Sequence, residues 1–209
     1  MTDRGATIAP RVLAVTAWFG VLLQLWLSIR MARGNATSIV SALVAYFGYF
    51  TVLTNIFVAL VCTAGSFGHS PQRPALYRLP AVGCATTAIL VVGVGYHALL
   101  RDIWSPQGAQ WLADVVLHYV VPIAALLHWC VYRPDRVTWW APFSWCWYPL
   151  AYFVYVMVRA EILGSYPYPF IDVTTLGYTR SVINAIGFLF GFIIAGSLLL
   201  ALKRVSWRT

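Results

Sequence analysis

The chain has 209 residues, of which 61% are hydrophobic and only 10% charged. A soluble domain carries roughly 25% charged residues, so this balance excludes an ordinary water-soluble fold. The net charge of +8 invites a nucleic-acid partner, but the cations fall in short breaks between apolar runs. That placement points to membrane topology and anionic lipid and argues against nucleic acid.

Hydrocarbon cannot solvate free backbone groups, so long apolar runs form helices or a closed barrel. Barrel strands need an alternation that these runs lack. A spanning helix takes about 20 mainly apolar residues, and six stretches meet that length: 12–31, 39–64, 80–100, 111–132, 139–160 and 178–202. The prediction is an all-α, polytopic membrane protein, a single bundle of about six transmembrane helices forming one domain over 1–209. With the N-terminus cytoplasmic, nine basic residues (Arg4, Arg11, Arg73, Arg78, Arg133, Arg136, Lys203, Arg204, Arg208) lie on that side. Five (Arg30, Arg33, Arg101, Arg159, Arg180) lie on the other, together with Asp102, Asp114, Glu161 and Asp172. This positive-inside bias puts both termini in the cytoplasm.

The first run follows basic residues, yet at about 20 residues it exceeds the usual 7–15 of a secretory signal, so a retained anchor is expected. Asn35-Ala36-Thr37 behind it matches a glycosylation sequon, relevant only in a eukaryote. The second run contains Tyr49-Phe50-Thr51-Val52-Leu53-Thr54-Asn55, in which Thr51 and Asn55 stand four apart on one helix face. His69 falls in the loop that follows and carries no signal. His97 closes the third run, directly before Arg101-Asp102.

In the fourth run Asp114 and His118 are also four apart on one face, so the acid can hold the imidazole in one tautomer. His128, ten residues on, falls on another face and reads as structural. Trp139, Trp140, Trp145 and Trp147 open the fifth run as a headgroup belt, with Trp104 and Trp111 at the opposite level. The loop Tyr166-Pro167-Tyr168-Pro169-Phe170-Ile171-Asp172 is extended or turned, because two prolines bar a helix. It is either an aromatic belt or a roof over a lipid-admitting cavity. In the sixth run Ser181, Asn184, Gly187, Gly191 and Ala195 form a small-residue face suited to close packing. Cys62, Cys84, Cys130 and Cys146 have no metal-ligand spacing and read as small buried hydrophobes.

Ionisable groups at membrane depth are costly, which makes them functional candidates. Counted along continuous helices, Thr51 lies roughly 18 Å into its span and His118 roughly 11 Å into its own, close enough in level to face each other. A threonine hydroxyl becomes a nucleophile when a base takes its proton, and histidine is the commonest such base. Asn55, Asn184 or Tyr49 are candidates to donate to a developing oxyanion. The plain alternatives stay open: a Thr51 hydroxyl bonded to its own helix, an interfacial Asp114, an interhelical hydrogen bond at His118. A metal site of His97, His118 and Asp114 is a rival without a local motif, and no cofactor is expected. Gly-x-Ser-x-Gly and Gly-x-x-x-x-Gly-Lys are absent.

The 49–55 segment, Ala113-Asp114-Val115-Val116-Leu117-His118-Tyr119-Val120-Val121-Pro122 and Tyr166-Pro167-Tyr168-Pro169-Phe170-Ile171-Asp172 together resemble the bacterial six-span branch of the androgen-induced-protein-like family. The resemblance runs from the first span to the last. Animal members of the wider family are membrane threonine hydrolases that cleave esters between a fatty acid and a hydroxy fatty acid. The resemblance implies Thr51 as nucleophile, with Thr54 a competitor, and His118 as base. Asp114, Asn55, His97 and Asn184 are expected in support. Tyr49, Tyr166, Tyr168 and Phe170 are expected to contact a lipid or fatty-ester substrate in a multi-pass protein of the bacterial cytoplasmic membrane. The alternative class is a non-enzymatic protein that binds lipid or transports a small solute.

Overall fold

The computed structural model describes residues 4–67, 74–132 and 138–206, with side chains from residue 7 to residue 203. His69, Arg73, Arg133, Arg136 and Arg208 lie outside the described residues, as do the side chains of Arg4 and Arg204. All the described secondary structure is helical: α1 (Arg4–Gly34), α2 (Ile39–Phe47), α3 (Phe50–Ser66), α4 (Leu79–Gly95), α5 (Ala109–Val115), α6 (Val121–Val131), α7 (Ala141–Trp145), α8 (Trp147–Leu163) and α9 (Val173–Ser206). Single π-helical turns, Tyr96–Leu100 and Val116–Val120, extend α4 and join α5 to α6.

Four helical stretches are long and apolar enough to cross a membrane: Thr7–Gly34, Leu79–Leu100, Ala109–Val131 and Val173–Lys203. A fifth arises if α2 and α3 count as one span, although they meet at 75°. The predicted fifth span, 139–160, is divided into α7 and α8; at 17 residues α8 reaches only about 25 Å, short of a hydrocarbon core of about 30 Å.

The bend between α2 and α3 corrects the expectation of one continuous helix over 39–64. Tyr49 is extended (φ −85°, ψ 128°) and starts α3 afresh, so Thr51 stands in a helix's first turn, not twelve residues along one. A break of this kind strands backbone groups, each worth several kcal/mol when unpaired in hydrocarbon. Helix α8 supplies the partners: Arg159 Nε donates to Val44 O (3.4 Å), the Tyr155 hydroxyl to Phe47 O (3.3 Å) and the Tyr152 hydroxyl to Gly48 O (2.9 Å). Gly48 leaves room for this clamp, since a Cβ there would lie 2.9 Å from the Arg159 guanidinium carbon.

One apolar core runs through the bundle, with Ala17, Ala59, Ile89, Val121, Trp129, Val156, Phe192 and Leu200 all buried in it. Trp145 belongs to this core as well, not to the predicted headgroup belt, whose other members Trp139, Trp140 and Trp147 are exposed. The small-residue face of α9 does not pack as expected either. Ser181 is buried, but Gly187 and Gly191 face open space, and it is Gly196 that lets Pro142 and Trp145 approach. Cys62, Cys84 and Cys146 are buried as predicted; Cys130 is exposed.

Gly83 admits Trp145 so closely that an added Cβ would sit 2.2 Å from the indole. Gly83→Ala is expected to cost about 1–3 kcal/mol through overpacking and to lower the unfolding temperature in detergent. Gly187→Ala should leave it unchanged or slightly raised. Equal shifts for the two variants would contradict this packing.

Candidate active site

Pro122 shapes the segment that carries His118. It has no N–H to give, and the chain ahead of it runs as a π turn in which the Val121 N–H bonds Val116 O, five residues back. In that register the Leu117 carbonyl faces the nitrogen of Pro122 and has no donor on its own helix. Asn55 provides one from α3, its Nδ2 donating to Leu117 O (3.3 Å) and to Thr51 O (2.9 Å). The face of α3 that holds Thr51 and Asn55 is thereby fixed against the turn that holds His118. Both amide hydrogens of Asn55 are consumed, so it is a clamp and not an oxyanion donor; its Oδ1 is buried with no hydrogen-bond partner.

On the other side, Gly93 of α4 brings the two π turns together. A Cβ there would lie 3.0 Å from His118 O and 3.2 Å from Pro122. Tyr96 stacks on the His118 ring, with centroids 3.8 Å apart and planes 13° apart. The Tyr96 hydroxyl donates to Asp114 Oδ2 (2.7 Å), while His118 Nδ1 lies 3.2 Å from Asp114 Oδ1 and 3.0 Å from Asp114 O. Both neighbours of Nδ1 are acceptors, which puts the proton of a neutral ring on Nδ1 and leaves the Nε2 lone pair available as a base. The predicted Asp114–His118 contact is present. Its third member, Tyr96, has no spacing signal in the sequence, although it adjoins His97.

His97 points away from this group. It is exposed, with Nδ1 3.3 Å from the Tyr119 hydroxyl and Nε2 3.1 Å from Arg101 Nη1. The rival metal site therefore lacks a common centre for His97, His118 and Asp114, and among the described residues no three His, Cys, Asp or Glu side chains are grouped to hold a metal ion. His128 bonds the Tyr77 hydroxyl (2.7 Å) elsewhere in the bundle, in keeping with a structural role.

Thr51 borders a cavity of about 260 Å³ between α3, α4, α8 and α9. Its wall is almost wholly apolar, and its polar exceptions are Thr51, Tyr96, Tyr152 and Tyr168. Thr54 does not line it; its hydroxyl is fully buried, 3.1 Å from that of Tyr148. Of the two threonines, only Thr51 is open to a ligand in this space. The 164–172 loop covers one end, through Tyr168, Phe170 and Ile171, whereas Tyr166 and Tyr49 stay off the wall. Tyr49 instead packs edge-on to Tyr168 at 5.8 Å. Asn184 Nδ2 donates to Phe170 O (2.8 Å) and so holds the loop, which removes it from the oxyanion candidates. No hydrogen bond links the Thr51 hydroxyl to His118 among the described residues. Tyr96, which both walls the cavity and covers the imidazole, stands between the two functions.

The Asn55 clamp carries a specific energetic signature. Asn55→Ala should destabilise the protein by about 1–3 kcal/mol, the penalty of a buried carbonyl left unpaired. In a Pro122→Ala background the new N–H can reach Leu117 O, so the same substitution should cost less. Unfolding of the four proteins of this double-mutant cycle checks the coupling, and strict additivity would contradict it.

No protein-family description matches the chain, no curated protein matches it in sequence, and no solved structure matches its fold.

Proposed function

We propose that the protein is an intramembrane hydrolase of lipid esters, in the manner of the bacterial six-span branch of the androgen-induced-protein-like family, with Thr51 as nucleophile and His118 as base. The observation that carries this is the meeting, at one ring, of two halves of a hydrolytic site. Thr51 opens into an apolar cavity, and behind the Tyr96 wall of that cavity lies an imidazole held by Asp114, whose Nε2 takes no hydrogen bond among the described residues. A fatty ester enters from the lipid between helices, its chain along the apolar wall and its carbonyl at Thr51. The Tyr96 ring turns aside, His118 Nε2 takes the Thr51 proton, and Thr51 Oγ1 bonds to the acyl carbon. The alcohol leaves with that proton, and water, activated by the same nitrogen, releases the acid and restores Thr51.

The same proposal includes six crossings of the bacterial cytoplasmic membrane with both termini inside. The bent α2–α3 pair and the α7–α8 pair then supply the two spans that are not single long helices, and the nine-to-five distribution of basic residues supports the orientation. Such a topology puts Thr51, His118 and the 164–172 loop in the outer half of the bilayer.

A non-enzymatic lipid-binding protein is the second reading, favoured by the missing hydrogen bond between Thr51 and His118. Purified protein separates the two. Free acid should be released from a fatty acid ester of a hydroxy fatty acid, with only background release in Thr51→Ala and a loss of about 10²–10⁴-fold in His118→Ala. Unchanged turnover in either variant would remove that residue from the mechanism, and no turnover in the wild type would favour binding alone.

A further inference from the structure

A hydrolytic site needs a donor for the carbonyl oxygen as it becomes negative, and the expected amides, Asn55 and Asn184, are engaged elsewhere. The hydroxyls on the cavity wall give a short field of replacements. Tyr96 gives its proton to Asp114 Oδ2, and Tyr152 gives its proton to Gly48 O. Tyr168 differs: its oxygen is an acceptor, taking the backbone N–H of Thr51 at 3.3 Å. No carbonyl, carboxylate or ring nitrogen takes its own proton among the described residues; the oxygen's other hydrogen-bonding neighbours are the Phe50 N–H and the Thr51 hydroxyl, the nucleophile itself. Tyr168 is also 8% exposed and lines the cavity.

We propose that Tyr168 is a catalytic residue of this site, its phenol O–H receiving the carbonyl oxygen of the fatty-acyl ester as that oxygen gains charge. The inference rests on the hydrolase proposal. As Thr51 Oγ1 bonds to the acyl carbon, its proton passes to His118 Nε2 and the carbonyl π pair moves onto oxygen. The resulting anion accepts the Tyr168 O–H. When the pair returns to re-form the carbonyl, the alkoxide departs with the proton from His118, and Tyr168 is left unchanged.

Two features prepare the phenol for this work. It is set before the reaction, as oxyanion donors must be to contribute fully: its ring stacks on Phe170 (5.1 Å, 12°) and meets Tyr49 edge-on, Asn184 pins Phe170 O, and Arg159 holds Ser165 O at 3.1 Å. It also stands at the start of α3, where the break at Tyr49 turns the positive end of a 17-residue helix towards the wall occupied by Thr51. The helix end alone would not define a site; the cavity and a phenol whose proton no carbonyl or carboxylate takes among the described residues do.

Tyr168→Phe keeps the ring and its packing while removing the donor. Expected is a fall in kcat of about 100-fold on a fatty acid ester of a hydroxy fatty acid, the usual effect of deleting one oxyanion donor, with KM nearly unchanged and the unfolding temperature close to wild type. An unchanged kcat beside an active wild type overturns the role of Tyr168 and leaves the hydrolase proposal standing. If the wild type releases no acid, that proposal fails, and palmitate labelled with carbon-13 at the carboxyl decides on Tyr168 separately. A bound carboxyl resonance that moves in Tyr168→Phe supports the subsite. An unmoved resonance, or no bound palmitate, overturns it.

Discussion

A peptide group that leaves its helix inside an apolar bundle must find another partner, since each unpaired one costs several kcal/mol. Beside the candidate site the chain leaves regular helix at three neighbouring places, the extended Tyr49 and the π turns at 96–100 and 116–120, and four polar side chains around the site are explained by what those departures require. Tyr152, Tyr155 and Arg159 serve the end of α2, and Asn55 serves the carbonyl that Pro122 leaves without a donor. These residues are committed to the backbone, which is why they are poor candidates for chemistry.

The residues left over form a coherent set of five. Asp114 holds His118 on one side and Tyr96 on the other, Thr51 opens into the cavity, and the Tyr168 phenol accepts the Thr51 N–H beside it. The irregular backbone also determines how they approach. Restarting the helix at Phe50 brings Thr51 to a first turn under the 164–172 loop. The two π turns, drawn together at Gly93, set Tyr96 flat against His118. π turns recur at functional positions in helices, and here the reason is local: each displaces a side chain that a regular α-helix would aim elsewhere.

Much of this was legible in the sequence where neighbours along one helix decide the outcome. The four-residue spacings Thr51/Asn55 and Asp114/His118 foretold shared faces, and both pairs occupy them. A cavity roof was one of two readings open for the Tyr-Pro-Tyr-Pro-Phe loop. What the sequence hid depends on distant partners. No proline marks the break at Tyr49; Gly48 beside it is the only local sign, and the clamp comes from residues more than a hundred positions away. His97 stands out in the sequence by its position at the end of the third run, whereas the residue turned inward is Tyr96, because the π turn sets the direction each side chain takes. Gly187 and Gly191 have the spacing of a packing face, yet α9 meets its neighbours through Ser181 and Gly196. Spacing reveals that a face exists and not which helix covers it.

The central claim is that Thr51 is an activated nucleophile and His118 its base. The most direct measurement is covalent labelling of the purified protein with a fluorophosphonate, followed by peptide mapping. The account predicts one adduct, on Thr51, that disappears in His118→Ala. An adduct on Thr54, or none at any residue of the wild-type protein, would contradict it.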